Sequence, residues 1–552
     1  MILYCAFLSL LLSFALAKIR PWQLDPDMVE DNSLSTFVLF FLTQYTTLKL
    51  YQIFIYPRFV SPLRHIPGPT NGHFMFGQAI NLFNAPTPTS LHTKWIREHP
   101  GLPFVRYLTV GNGEVLIVNS PAAFKGLLQT HCYSFRKPDQ WRHMTKPFAG
   151  KGILALEFDE HQAHRRMLNA AFTPENIRRL GSVVQRKATE LCLFMDHTAE
   201  TGIGKHGVID CTNTFGKAMM DVICVALFGT IRSPLSGGIM VAGQEYGFHD
   251  AYDAIFGSDS MEKLLMLADS FVPLRWVPCE ANRKFKFATS WLDETLTRFI
   301  QERRHDILLT SKSERRGEKS RDILTHLIEQ SLPGGSAEGM TDDYMVGHKP
   351  GQLLILLAGG HDTSANALSW SVYTMATKPE MQDKLRHEIL ELSDRASAPS
   401  GFPSFAEIDA LPYLHNFVRE VLRVYPPAVF MPRQAATDVT IQGVRIPKDT
   451  TIDMMPAMAS MNQTVWGDDA DEVRPERWDC LTQEQSSPYA YEVFGNGPRV
   501  CIGKQFALME IKTFLFELVR RYRFLGVVGK FAVENPSFVL RPKGMRVRFE
   551  RL

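Results

Sequence analysis

The ten residues FGNGPRVCIG, 494 to 503, constrain this chain more than any other stretch. They set one cysteine, Cys501, among three glycines, a proline and an arginine. A cysteine that only fills a core needs no such company. A thiolate that ligates a metal does, because backbone donors must point at the sulfur and a flat partner needs room beside it. The following KQFALMEIKTFLFELVRRY has helical periodicity, so Cys501 stands just before a helix N-terminus. There the helix dipole lowers the thiol pKa.

The other seven cysteines (5, 132, 192, 211, 224, 279 and 480) are scattered with no CxxC, which supports neither a zinc ribbon nor a redox motif. Free thiols at such spacing fit a reducing compartment. With 45% hydrophobic and 21% charged residues, the 552-residue chain can bury a large core. A net charge of +2 argues against a nucleic-acid partner, which calls for a concentrated basic excess.

The N-terminus reads as a membrane address. Residues 2–17 are an uninterrupted apolar run ending Ala15-Leu16-Ala17, either a signal-like segment or a first span. A second run, 34–56, reaches the ~20 residues a bilayer-crossing helix needs, weakened by Gln44 and Lys49. The connector carries Asp25, Asp27, Glu30 and Asp31, whereas Arg58, Arg64 and His65 follow the second run. The positive-inside rule then places everything after it in the cytosol, on an endoplasmic-reticulum membrane. Four prolines in residues 57–72 predict a stiff spacer. The expected organisation is an anchor at 1–57, a proline-rich hinge at 58–72 and one body at 73–552.

In the body, FVRYLTV and EVLIVN flank Gly111-Asn112-Gly113 and predict a β-hairpin over 104–119. Residues 120–425 are mainly helical in texture, with a polar interruption at 310–321. Strand patterns return at 439–450, turning at Gln442-Gly443, and in the C-terminal tail. The fold class is mainly α with small β-sheets (α+β).

Haem iron can be held by a cysteine thiolate that pushes electron density onto the metal. FGNGPRVCIGKQFALMEIK resembles the haem-binding signature FxxGxRxCxGxxxAxxE of the cytochrome P-450 monooxygenases, matched at Phe494, Gly497, Arg499, Cys501, Gly503, Ala507 and Glu510. The resemblance runs from IPGP at 66–69 almost to the C-terminus and implies the P-450 fold. It implies heme b (iron protoporphyrin IX) with Cys501 as axial ligand, Phe494 shielding the sulfur and Gly503 in the loop. Arg499 takes a haem propionate, as does Arg433 ahead of the 439–450 hairpin. HQAHRRML (161–168) is similar to the family's WxxxR element, with Arg165 at the propionate position and His161 replacing tryptophan. His161 is either a propionate donor or a plain surface histidine. Glu420 and Arg423 resemble the ExxR pair, locked by Arg477 from DEVRPERW, where Val473 stands for the usual phenylalanine.

AGGHDTS (358–364) resembles the oxygen-activating motif. Adjacent glycines in a helix cost about 1 kcal/mol each, which close approach of a flat ligand would offset. Asp362 and Thr363 place an acid and an alcohol side by side for proton delivery. Just upstream, Pro350 and two glycines stand where the family continues a helix. Either the helix starts near Gly351, or residues 347–351 are a short insertion near the substrate roof.

About fifty residues follow Cys501, so no flavin or nicotinamide region is expected there. Electrons would come from a separate NADPH-cytochrome P-450 reductase, with cytochrome b5 as a second donor. Arg499, Lys504, Arg520 and Arg521 are a docking face, propionate ligands or ordinary surface charge. The texture resembles filamentous-fungal microsomal members that oxidise lipophilic terpenoids or polyketides, with pocket residues near 132–150, 236–285 and 538. Two other functions stay open: a reductase-independent isomerase or lyase, a class that often lacks the helix threonine, and a non-catalytic haem-binding protein.

Overall fold

The computed structural model describes residues 2–19, 30–150, 152–200, 206–229, 239–241, 244–256, 260–269, 272–309, 322–331, 351–395 and 402–552. The interruption read at 310–321, and Pro350 with the residues before it, lie outside these.

Helices α1 (Ile2–Ile19) and α2 (Glu30–Leu50) pack against each other. In the body we name α3 (Asp139–Ala149), α4 (Phe158–Ala171), α5 (Gly181–Glu200), α6 (Cys211–Phe228), α7 (Phe248–Phe256), α8 (Ser260–Asp269), α9 (Glu280–Leu309), α10 (Gly351–Thr377), α11 (Pro379–Arg395), α12 (Pro412–Val424) and α13 (Lys504–Arg521). Helix α10 is apolar almost all round and buried over most of its length, as a helix through the centre of a core must be. It packs most extensively along α6. Among the described residues, α6 is the helix long and apolar enough to cross a membrane, but 72% of it is buried within the body, which makes it a core helix.

The strands lie to one side. β1 (Phe104–Leu108) and β2 (Glu114–Val118) form the expected hairpin, turning through Gly111 and Asn112 at φ 65° and 53°. With β3 (Phe135–Arg136), β4 (His206–Asp210), β5 (Met431–Ala435), β6 (Val439–Ile441), β7 (Val444–Ile446), β8 (Thr451–Met454), β9 (Tyr522–Val528) and β10 (Arg546–Arg551), they build a sheet ordered β1-β2-β8-β5-β3, another ordered β9-β10-β4 and a separate β6-β7 hairpin. β8 runs parallel to β2, with Ile452 opposite Leu116, and antiparallel to β5, with Ile452 opposite Arg433. That register sets Arg433 on the strand that borders the cavity described below.

The segment read as a hinge is part of the body. Helical turns continue through Pro57 to Val60, and the Pro57 carbonyl accepts from Arg106 Nη2 at 2.5 Å. Ser61 Oγ donates to Glu114 at 2.7 Å, while Leu63 and Ile66 are buried in the main core. The prolines keep this stretch out of a sheet ladder, but their apolar neighbours gain more by docking than by spanning solvent.

Candidate active site

The cysteine loop is built by backbone. Cys501 N–H donates to Phe494 O at 2.8 Å and Val500 N–H to Gly497 O at 3.1 Å. Gly497 has φ 68°, and a Cβ there would lie 2.1 Å from Leu128 O, so a residue with a side chain fits neither the conformation nor the space. Gly503 caps α13, and the N–H groups of Gly503 and Lys504 point at the Cys501 sulfur. Burial pushes the thiol up, which those two N–H groups, Arg165 and Lys504 oppose. Cys501 is accessible yet lies deep in the protein, because it faces an interior cavity.

That cavity has a volume of about 390 Å³. Cys501, Phe494, Arg499 and Gly503 form one wall, and α10 forms another with Ile355, Leu356, Gly359, Gly360, Thr363 and Ser364. Trp141, Ile153, Leu154, Phe430 and Met431 close an apolar roof. Phe538 stacks edge-on against Trp141 at 5.3 Å, bringing together two of the three stretches expected to supply pocket residues. The two glycines of α10 serve different ends. A Cβ on Gly360 would lie 2.6 Å from Ile223 Cδ1 of α6, so this glycine lets the helices approach. A Cβ on Gly359 would meet nothing within 4 Å.

One end of the cavity is cationic: Lys137, Arg165, Arg433 and Arg499, with His161, all line it. Arg165 Nη1 donates to Val500 O at 2.6 Å, tying α4 to the cysteine loop. Arg433 Nη1 donates to Pro432 O at 2.9 Å, and burial followed by Arg499 lowers its pKa to about 10. His161 is buried, which removes the surface reading. Burial, then Arg499 and Lys137, lower its pKa to about 4, so it is neutral, and its Nδ1 has no partner. Arg499 Nε is likewise buried without a partner. The residues missed from sequence are Lys137 and Glu157: Glu157 bonds Arg499 at 2.5 Å and Lys137 at 3.1 Å. Burial lowers Lys137 to about 7. A dianionic ligand fits this end, because it would meet a cationic excess and orphaned N–H groups.

Behind the cavity, Glu420 of α12 is fully buried under a shell of donors. Arg423 gives it two bonds of 2.8 Å, Arg477 Nε one of 3.2 Å and Trp478 Nε1 one of 3.0 Å. Arg423 also reaches Ser460 O, Ala470 O and Glu472 O, clamping α12 to the loop ahead of Cys501.

The family model for cytochrome P-450 matches residues 67–549. The chain is a cytochrome P-450. It is 30% identical over 508 residues to cytochrome P-450 monooxygenase sphH of Aspergillus fumigatus, covering 88% of this chain and 86% of that one. Cytochrome P-450 monooxygenase 205 of Postia placenta is 30% identical over 507 residues (87% and 90%), and cytochrome P-450 monooxygenase FUM15 of Gibberella moniliformis 28% over 523 (85% and 84%). The activity is therefore that of a monooxygenase with heme b as cofactor, and the fold is mostly helical with small sheets. The cationic end of the cavity suits the two haem propionates, and the cysteine loop suits the iron.

The structure brings Thr363 of this P-450 to the cavity, but not Asp362. Thr363 is half-buried, and its Oγ1 donates to Gly359 O at 2.8 Å. Asp362 points away from the cavity. Arg541 Nη2 donates to both of its oxygens at 3.0 Å, Tyr252 Oη to Oδ2 at 2.8 Å and Asn366 Nδ2 to Oδ1 at 3.0 Å. Burial would raise its pKa, but Arg541, His361 and the Tyr252 hydroxyl hold it below the usual carboxylate value. The expected side-by-side pair is therefore split across two faces of α10, because neighbours on a helix are about 100° apart. A second acid does border the cavity: Glu510 of α13 accepts from Ser364 Oγ at 2.7 Å, and burial holds its pKa well up.

The docking-face reading changes as well. Arg520 and Arg521 both pair with buried Glu517, and Arg499 lies inside against Glu157. Of these four residues, for which a docking face is one of three readings, Lys504 is the exposed one.

Proposed function

We propose that this P-450 is a membrane-anchored monooxygenase of the endoplasmic reticulum, its body cytosolic, that oxidises a lipophilic secondary metabolite of the terpenoid or polyketide kind with electrons from a separate reductase. Cys501 would hold the haem iron through its thiolate. Arg165, Arg433, Arg499 and His161 would hold the propionates, and Glu420, Arg423 and Arg477 form the structural clamp. The observation that carries the reading is a single cavity shared by Cys501 on one wall and Thr363 on another, with the basic cluster at its end.

Bound haem supplies the activation of O₂. The chain's own residues do the rest. The Thr363 hydroxyl donates its proton to Gly359 O and offers its oxygen as an acceptor that positions a proton-bearing water at the cavity wall. Trp141, Phe430, Ile355 and Leu356 exclude bulk water and receive an apolar substrate. Asp362 serves as a proton relay only when its bonds to Arg541 and Tyr252 open.

Thr363 favours the monooxygenase over a reductase-independent isomerase or lyase, and the fungal relatives and apolar roof support a lipophilic metabolite. The test is turnover of candidate terpenoids and polyketides in microsomes with and without coexpressed NADPH-cytochrome P-450 reductase. Oxygenated product that requires the reductase is expected. Rearranged product formed without reductase or NADPH would overturn it.

A further inference from the structure

Most polar side chains that line the cavity are already committed. Lys137, His161, Arg165, Arg433 and Arg499 make up its cationic end. Ser364 Oγ donates to Glu510 at 2.7 Å, and Thr363 Oγ1 to Gly359 O at 2.8 Å. Trp141 of α3 belongs to neither group. It lines the apolar roof, with Phe538 edge-on to its ring at 5.3 Å and Phe430 tilted against it at 5.9 Å. Its indole N–H has no hydrogen-bond partner among the described residues. Elsewhere in the body the same group is used: Trp370 donates to Leu540 O at 2.7 Å, Trp466 to Ala459 O at 3.1 Å and Trp478 to Glu420 at 3.0 Å. A second donor is idle behind the roof. Ile153 gives its backbone N–H to Oε1 of Gln352 on α10 at 2.9 Å, and Nε2 of that buried glutamine has no partner. Helices α3 and α10 pack on each other, so both donors belong to one seam of the structure.

A donor that loses water without gaining an acceptor is costly, and a site that presents one discriminates against ligands unable to pair with it. The roof side chains of Trp141, Ile153, Leu154, Phe430 and Met431 offer one N–H donor and no oxygen acceptor. We propose that Trp141 determines substrate specificity: its indole N–H selects a lipophilic substrate that already carries an acceptor oxygen, as a ketone, ester, lactone or ether does. A bare hydrocarbon of the same shape leaves that donor unmet. Because the donor sits in the roof and Cys501 in a wall, the oxygen it holds marks the end of the substrate that is bound, and the reacting carbon lies elsewhere on the skeleton. The reaction that supplies this substrate must therefore leave an oxygen on it, through acyl condensation or an earlier oxidation. The inference rests on the lipophilic-substrate reading above, but its test needs neither reductase nor O₂, so the two can fail separately.

The test titrates the ferric, haem-loaded full chain with two probes of one skeleton, cyclooctanone and cyclooctane, and follows the Soret shift. Trp141→Phe keeps an aromatic ring in the roof and removes the donor. It should weaken cyclooctanone about fivefold to tenfold, the range of one neutral hydrogen bond, and leave cyclooctane within about twofold. Equal changes for the two probes would reduce Trp141 to a packing role and overturn the assignment, as would an unchanged cyclooctanone affinity. The wild type gives a comparison that does not depend on how the variant folds. A roof without a donor favours the hydrocarbon, because the ketone gives up its hydration on entry. Wild-type protein should instead bind cyclooctanone at least as tightly as cyclooctane. A wild-type preference for cyclooctane, or no spectral response to cyclooctanone, would also overturn the assignment.

Discussion

Thr363 is where the chemistry of the chain is most exposed to a single change. Its hydroxyl faces the cavity while its backbone belongs to a helix packed on every side. Thr363→Ala should therefore keep fold and haem but lose the acceptor that positions a proton-bearing water at the cavity wall. NADPH oxidation should continue while product per NADPH falls and hydrogen peroxide rises, by the 10²- to 10⁴-fold range typical of acid–base groups at most. Unchanged coupling would make Thr363 structural. A different residue, Glu492, sets a pH dependence. It is fully buried in the approach to the cysteine loop, Asn496 donates to one oxygen at 2.9 Å, and the other oxygen has no partner. Burial raises its pKa to about 7. A carboxyl raised in the folded state binds a proton there that the unfolded chain has given up. Its destabilisation is absent below the unfolded value, grows as pH rises, and is complete above about 7. Glu492→Gln should then raise the unfolding free energy, measured by denaturant titration, by up to roughly 3 kcal/mol at pH 8 and by little at pH 4.5. Equal gains at both pH values would refute this.

Among the elements, α12 and the loop that follows Gly467 depend on one carboxylate. Glu420→Gln leaves Arg423 buried without a counter-charge, while Arg477 keeps Asp469 at 3.0 Å, and the loss of the buried pair costs on the order of 3–5 kcal/mol. Denaturant titration should show a lower midpoint at unchanged slope, and a shift under 1 kcal/mol would mean that the clamp is not structural. This clamp was legible in sequence because its spacing is local on one helix face and its partner sits in a recognisable loop. The hairpins were legible for a similar reason: Gln442 and Gly443 take φ of 50° and 75°, which the turn residues announced. The Asp362–Arg541 pair was not legible, because the residues are 179 positions apart and nothing local marks Arg541. Nor was the burial of His161 or the Lys137–Glu157–Arg499 cluster, since each arises where α4, the cysteine loop and the strand region meet. The pairing of Asp362 with Thr363 failed for a simpler reason. Adjacency in sequence is divergence on a helix.

In the whole molecule, an N-terminal pair of helices precedes a body whose residues line the cavity. Residues 53–57 already bond to the β1–β2 hairpin, through Asn112 to Ile53 O at 2.9 Å and Arg106 to Pro57 O. An anchor here would therefore hold the body close to the bilayer rather than on a free tether. Full-length protein should stay with membranes after alkaline extraction, and protease added to sealed microsomes should digest the body. Protection of the body would reverse the proposed orientation. Whether Cys501 provides the iron's thiolate is read from the reduced, CO-bound difference spectrum. Wild type should show the long-wavelength Soret band of thiolate ligation, and Cys501→His should retain haem yet lose that band. Persistence of the band in Cys501→His would contradict the account.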